Sequence, residues 1–504
     1  MPASKPNIIL ILTDQFRGDC IHAAGNQQIR TPFLDHLAGQ GILAQRGYSP
    51  SPTCIPARAC LVTGKMPTNA GFFTNNFTQP WDYPHTLMQQ LRDGGYQTIN
   101  VGKNHFKPYR RSLGFEINRV YETSRDEFGT PSDYQLWLND ITGGQVTDTA
   151  LTSNNNSCVV MPWTEREALH PSAWTAMEAV RQLQCRDITR PFYLQVSFHR
   201  PHPPLDPPLA YLQMYDNLEL DPPAVGNWAE KYGTPTLNIE PFEGKIADRE
   251  LMLAKKAYYA QITFIDQQIG KLLAYLAKSR LMNNTLIVFT ADHGELLGDH
   301  NMFRKGPAFE GSSHIPFIFS LPGRHPQKPA VLDTPVSLID LLPTFLDYAG
   351  IQPKEKADGV SLRPLLEGAV SQQDWERKYI YGENYRDMKA FGIQVGWDFV
   401  VSSQYKYIWN SITGEEYFFD LLHDPNELHD LSQCGTETEL AEMTRMRNYL
   451  IEQFKDRPGD GLLNEDGSLH SPSLLPSYRP PEWAALPREE VLKMPKPDGG
   501  FPMF

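Results

Sequence analysis

The chain has 504 residues, 40% of them hydrophobic, with a formal net charge of −13 and a pI near 5.6. That is enough apolar material for one large core with an appendage, or for two or three ordinary ones, and the acidic balance without any basic stripe argues against a nucleic-acid partner. Six scattered cysteines (20, 54, 60, 158, 185 and 434) form no CxxC pair and fall short of a disulfide scaffold, so reduced thiols are expected.

The opening MPASKPNIILILTDQ carries one lysine and an apolar run that breaks into Thr13-Asp14-Gln15, too early for a signal peptide and without a small-residue cleavage pattern. It reads as a first strand. No stretch has the apolar length of a membrane span, so the cytoplasm is the expected compartment, or the periplasm or exterior if a leader was removed. After NIILIL (7–12), a helix opens at Thr31-Pro32, another is expected at His85 to Leu91, and YQTINVG (96–102) follows as a strand. A helix at Ser172 to Leu183 precedes PFYLQVSF (191–198), and a long amphipathic one, Lys255 to Leu276, precedes TLIVFTA (285–291). These strands are continuously apolar, as expected when helices cover both faces of a mostly parallel sheet. Past about residue 370 the texture changes: KYIYGENY, WDFVVSS, YKYIWN and EEYFFDL alternate, are rich in aromatics and are separated by short turns, and a helix is expected at Glu437 to Phe454.

The predicted architecture is therefore an α/β fold: a large mostly parallel sheet flanked by helices over 1–370, a smaller C-terminal subdomain with an antiparallel sheet and a helix over 371–456, and an extended Pro-rich arm over 457–504. The aromatics of that arm (Tyr478, Trp483, Phe501, Phe504) are expected to pack across another part of the protein or join two subunits into a homo-oligomer.

SPTCIPARACLVTGK (51–65) places Cys54 at a predicted helix start, with Pro56 as the first helical residue. Free backbone N–H groups and the helix dipole there favour an anion. A cysteine-phosphatase loop does not fit, because Arg58 comes four residues after Cys54 and Pro56 removes an N–H. A zinc site using Cys54 and Cys60 lacks a second ligand pair. The four main strands instead empty into polar groups: Thr13-Asp14-Gln15, Lys103-Asn104-His105, His199-Arg200-Pro201-His202 and Asp292-His293-Gly294-Glu295. In an open α/β sheet the ligand crevice lies beyond the carboxyl ends of the strands, so these clusters should converge, with the helix at Cys54 aimed at them. Asp14, Gln15, Asp292 and His293 offer oxygen and imidazole ligands suited to Ca²⁺, Mg²⁺ or Mn²⁺. Lys103, Lys305 and Arg58 offer positive charge for an oxyanion, and His105 and His202 are proton carriers.

Cys54-Ile55-Pro56-Ala57-Arg58 resembles the C-x-P-S/A-R signature of type I sulfatases, in the alkaline phosphatase superfamily. GYQTINVGKNHF (95–106), FHRPHPP (198–204), TADHGELLGDH (290–300), KGPAFEGSSHIPFI (305–318) and YFFDLLHDPNELHDLS (417–432) resemble further sulfatase segments, in the family's order. The resemblance implies an alkaline phosphatase-like fold and hydrolysis of an aryl or carbohydrate sulfate ester. It also implies that Cys54 is oxidised to formylglycine by a formylglycine-generating or anaerobic sulfatase-maturating enzyme. Its hydrated aldehyde attacks sulfur, with one divalent cation, Ca²⁺ foremost and Mn²⁺ or Mg²⁺ as alternatives, held by Asp14, Gln15, residue 54, Asp292 and His293. Lys103 and Lys305 would neutralise sulfate oxygens, Arg58 hold the diol, His202 serve the departing alcohol, and His105 take the proton that expels sulfate. Asp14-Gln15 and Asp292-His293 depart from the commoner Asp-Asp and Asp-Asn pairs and are similar to choline sulfatases and phosphonate monoester hydrolases, the nearest rival activities. A non-catalytic binder of sulfated glycans is the remote alternative. Asn75, Asn76, His199, Arg200 and His314 are the expected contacts to the alcohol half of the ester.

Overall fold

The structure is a computed structural model that describes residues 5–75, 79–122, 130–148, 156–323, 330–388, 393–457 and 460–471. Its strands, in chain order, are β1 (Asn7–Asp14), β2 (Ile42–Ala44), β3 (Gly47–Tyr48), β4 (Gln97–Gly102), β5 (Ile117–Val120), β6 (Phe192–Pro201), β7 (Thr285–Ala291), β8 (Phe317–Ser320), β9 (Ala330–Leu332), β10 (Val336–Ser337), β11 (Ile380–Met388), β12 (Ile393–Val401), β13 (Tyr405–Asn410) and β14 (Glu416–Asp420). Eight of them form one sheet in the order β5-β4-β6-β1-β7-β8-β2-β9. All run the same way except β8, which is antiparallel to both β7 and β2.

The central strands are apolar along their whole length because helices leave neither face to solvent. Ile8 to Leu12 and Leu286 to Phe289 have no exposed surface. Helices Pro171–Gln184 and Asp248–Lys278 pack on each other and on β6, while Cys54–Thr63, Leu87–Asp93 and Leu341–Ala349 form a second mutually packed set. Asp248–Lys278 is longer than its apolar pattern indicated, since Asp248 to Ala254 extend it at the start and Ala277 and Lys278 at the end. Because β4, β6, β1 and β7 are adjacent and parallel, their carboxyl ends share one edge. Gly102 is level with Ser197, and Thr13 with Ala291. At Gly102, with φ of +106°, a Cβ would fall 1.9 Å from the Ser197 carbonyl oxygen, so only glycine lets β4 close on β6 just before Lys103.

Strands β11 to β14 form a separate antiparallel meander in sequence order. One face, with Tyr407, Trp409 and Phe418, is covered by Met443, Met446, Leu450 and Phe454 of helix Glu437–Lys455, which opens on a Thr436/Glu439 capping box. The other face, with Trp397, Phe399, Tyr417 and Phe419, shares a core with Tyr48, Leu296, Met302 and Phe309 of the main body. The small sheet is thus a wall of the molecule rather than a pendant. Downstream, the described part of the Pro-rich arm is not extended: Leu463 bridges Leu469 antiparallel, and Leu462 is buried. Tyr478, Trp483, Phe501 and Phe504 lie outside the described residues. Among the described residues no helix is long and apolar enough to cross a membrane.

Candidate active site

Helix Cys54–Thr63 begins at Cys54 itself, so Pro56 sits in the third helical position rather than the first. The position still suits proline, because the first four N–H groups of a helix have no partner within it. Thr53 precedes the helix but does not cap it; its hydroxyl donates to Asn384 Oδ1 at 2.9 Å. The Ile55 amide instead donates to Asn75 Oδ1 at 3.0 Å. Cys54 is 2% exposed. Its Sγ lies 3.0 Å from His293 Nε2 and 3.8 Å from Asp14 Oδ1. Burial and Asp14 push the thiol pKa up, but Lys305, Lys103 and His293 together outweigh them and hold it below its usual value.

The strand ends converge as the topology demands. Among the described residues, the ligand atoms of Asp14, Cys54, Asp292 and His293 all lie within 4.8 Å of one another, and all four residues are buried. His293 Nε2 is 3.4 Å from Asp14 Oδ1 and 3.7 Å from Asp292 Oδ1. Its Nδ1 lies 2.9 Å from the Gly294 carbonyl, which can only accept, so Nδ1 carries a proton and Nε2 faces the cluster, where Asp292 and Cys54 overcome burial and raise the ring's pKa. Two buried carboxylates, an imidazole nitrogen and a sulfur position within one small sphere fit a divalent cation, which would take the place of a proton on that nitrogen.

Three cations surround this set. Lys103 Nζ donates to Asp14 Oδ2. Arg58 Nε donates to Asp292 Oδ2 at 2.8 Å, and Nη1 donates to the Lys103 carbonyl at 2.8 Å and to Ser197 Oγ at 3.1 Å, while buried Nη2 lies 3.8 Å from Asp14 Oδ2 and makes no hydrogen bond among the described residues. Burial raises the Asp14 pKa, yet Lys103, His202, His293 and Arg58 overcome it and keep the carboxylate ionised well below its usual range. Burial moves Lys305 the other way, below the usual lysine value. The His202 amide donates to the Asp14 carbonyl at 3.1 Å. Its Nδ1 donates to the Pro203 carbonyl at 2.8 Å, leaving Nε2 to exchange protons. His105, at φ of 63°, is fixed through its backbone amide, which donates to the Glu122 carboxylate.

Gln15 is oriented by charge. Its Nε2 donates to Glu295 Oε2, and its Oε1 accepts from Lys305 Nζ at 2.5 Å; the flipped amide would set NH₂ against ammonium and oxygen against carboxylate. Its Oε1 keeps a second lone pair for a cation.

The Sulfatase family profile matches residues 6–351, more than half of the chain. The chain belongs to the sulfatase family. The profile described as N-sulphoglucosamine sulphohydrolase, C-terminal, matches residues 298–456. An arylsulfatase of Clostridium perfringens is 36% identical over 489 residues, spanning 94% of this chain and 98% of that one, and the sulfatase described here is accordingly a sulfate ester hydrolase. A choline-sulfatase of Rhizobium meliloti is 28% identical over 451 residues, spanning 86% of this chain and 83% of its own. The phosphonate monoester hydrolase of Agrobacterium radiobacter has a similar structure, with a TM-score of 0.75 at 26% identity over 94% of this chain and 100% of that one.

The residues expected to touch the alcohol half of the ester fare differently from the floor of the sulfatase site. Asn76 lies outside the described residues, and Asn75 turns its Oδ1 to the Ile55 amide. Arg200, 1% exposed, gives Nε and Nη2 to the two oxygens of Asp206 at 2.7 and 2.6 Å, and Nη1 lies 2.9 Å from His199 Nδ1. Arg200 is thus a brace behind the site and holds His199, whose ring packs on His202. His314 Nε2 bonds the Gln45 carbonyl at 2.9 Å beside Tyr48 and Glu310, none of them in the Cys54 cluster. The sequence placed Glu295 in the strand-end cluster without giving it a part, and it missed Asn384, whose local sequence carries no signal.

Proposed function

We propose that this sulfatase cleaves a carbohydrate or aryl sulfate ester at residue 54, with Cys54 first oxidised to formylglycine by a maturation enzyme. The observation that carries the reading is the placement of Cys54 Sγ in one buried cluster with Asp14, Asp292 and His293, ringed by Lys103, Arg58 and Lys305. An oxygen on the same Cβ suits both the cation-binding set and attack at sulfur. Formylglycine, once hydrated, supplies that oxygen. Asp14, Gln15, Asp292 and His293 would hold Ca²⁺, or Mn²⁺ or Mg²⁺, which when bound supplies Lewis acidity. One amide among the ligands makes this site a unit less negative than a three-carboxylate set and widens the choice of ion.

Lys103 and Lys305 receive the sulfate oxygens, and their charge stabilises the transferring group most when it is most negative. Arg58 holds Asp292 and the residue-54 side chain in register. His202 exchanges a proton at Nε2 with the departing alcohol oxygen. His105 takes up the proton released when residue 54 gives up sulfate. The choline-sulfatase relative, the phosphonate monoester hydrolase likeness and the Asp-Gln and Asp-His pairs support a second reading, in which the same groups act on a choline sulfate or a phosphonate monoester.

The test is the mass of the peptide carrying residue 54, measured with turnover of an aryl sulfate, sulfated mono- and disaccharides, choline sulfate and a phenyl phosphonate in one preparation. Turnover should scale with the aldehyde fraction. Full sulfatase activity with an intact thiol would sink the formylglycine route.

A further inference from the structure

Asn384, on β11 of the C-terminal sheet, is 1% exposed and spends both ends of its amide on elements that carry proposed catalytic groups. Its Oδ1 accepts from the hydroxyl of Thr53, the residue before Cys54, at 2.9 Å. Its Nδ2 donates at 3.0 Å to the carbonyl of Gly306, the residue after Lys305. The Gly306 oxygen can only accept, so the amide orientation is fixed. Gly306 has φ of +120°, and a Cβ there would meet Asn384 Nδ2 at 3.2 Å, so a glycine keeps the approach open. Its amide in turn donates to Ser312 Oγ at 3.1 Å.

The strand that presents Asn384 is itself held against the segment around Cys54. Glu383 N donates to the Pro50 carbonyl at 2.9 Å, and Tyr385 N to the Phe73 carbonyl at 3.2 Å. The Glu383 carboxylate accepts from the Thr68 amide at 2.9 Å and from Arg457 Nη1 at 2.6 Å, and Tyr385 OH donates to Asp398 at 2.6 Å. Asn384 is therefore a short rigid link, not a surface side chain that happens to reach inward.

We propose that Asn384 is a positioning residue for sulfate transfer: by tying the start of the residue-54 helix and the Lys305 loop to one strand, it sets the distance between the nucleophile and the cation that receives sulfate. This rests on the reading of residue 54 and Lys305 given above. It also gives the C-terminal sheet a part in the reaction. Removing the link frees two elements at once, and a displacement of about 1 Å costs on the order of 100-fold in rate.

The experiment uses the full chain, with rates normalised to the aldehyde fraction at residue 54, an aryl sulfate as substrate and inorganic sulfate as competitive inhibitor. Asn384→Ala should lower kcat/KM by about 100-fold and weaken sulfate inhibition by about tenfold, with the thermal midpoint moved by only a few degrees. Asn384→Asp keeps the acceptor for Thr53 but loses the donor to Gly306, and should weaken sulfate inhibition to the same degree. Thr53→Val cuts the other arm alone; kcat should fall about tenfold with sulfate inhibition unchanged, a split that general loosening would not give. If Asn384→Ala does not fold, Asn384→Asp and Thr53→Val decide by the same criteria. Lys305→Ala serves as the reference. Should it leave sulfate inhibition intact, the reading of Lys305 fails; should it weaken inhibition while the Asn384 variants stay within twofold of the parent, the positioning role is overturned.

Discussion

Two groups of buried charge lie side by side at the carboxyl edge of the sheet, and they behave in opposite ways. Around Asp206, both carboxylate oxygens are taken by Arg200, Oδ1 also accepts from Gln261 at 3.0 Å, and the remaining guanidinium nitrogen faces His199. Around Cys54, ligand atoms of one kind crowd together, Arg58 Nη2 has no hydrogen bond among the described residues, and the cations lean on carboxylates they share. Both regions draw Asp, His, Arg or Lys from the last residues of a strand or just beyond it, and both are shielded from water. The first spends its arginine and its carboxylate on each other and therefore braces; the second crowds ligand atoms around a point that a bound cation would satisfy.

Substitutions separate the two, beginning with the largest effect. Cys54→Ala should cost about 10⁴-fold or more in turnover, the scale seen when a nucleophile is removed, while urea unfolding stays near that of the parent because only a few atoms leave a helix start. Asp206→Ala should do the reverse. It strands Arg200 in a buried site and should cost about 3–5 kcal/mol in urea unfolding. Loss of substrate affinity at unchanged stability would make Arg200 a binding residue after all and erase the distinction.

Between these extremes stands Glu295. Glu295→Gln removes the charge that orients Gln15, and calorimetric titration of the demetallated protein should show cation affinity about 10- to 100-fold weaker, more for Ca²⁺ than for Mn²⁺. Unchanged affinity would place Gln15 outside the cation set.

The smallest effect belongs to a buried carboxylate with no cation beside it. Asp266 accepts the Phe33 and Leu34 amides at 3.2 and 2.8 Å, at the start of helix Pro32–Gly39, and burial raises its pKa to about 7 despite those bonds. The folded state thus holds a proton that the unfolded state has released above about pH 4. Stability falls as pH rises from there to about 7, and the penalty is complete above it. Asp266→Asn keeps an acceptor and should flatten that slope, a gain of about 1–2 kcal/mol at pH 8, read from unfolding at several pH values.

The comparison also shows where a linear sequence is readable. Strands β1, β4, β6 and β7 announce themselves through unbroken apolar runs, and the polar residues after them mark the crevice edge, because topology alone brings those ends together. Strands β2, β5, β8 and β9 have three or four residues each and no pattern to expose them. Whether a strand-end residue is spare or already paired is set by side chains far away in the sequence. His199-Arg200 and Lys103-His105 therefore look equivalent until Asp206 and Asp14 are seen beside them. Asn75 and Glu295 stood out only as polar residues near the crevice, not for the bonds they make, and Asn384 did not stand out at all.

The site is also assembled from opposite ends of the chain. Cys54 meets His293 across 239 residues, Gln15 meets Asp292 across 277, and Thr53 meets Asn384 across 331. During synthesis the segment around Cys54 leaves the ribosome long before the residues that wall it in exist. Once they arrive, Cys54 is 2% exposed, and an enzyme acting on it, as proposed above, would need the chain opened. The conversion proposed for Cys54 thus belongs to a window in time, after residue 63 has emerged and before the latter half of the chain has folded over it. How fast the chain folds and how much maturation enzyme is at hand would together set the fraction of active molecules.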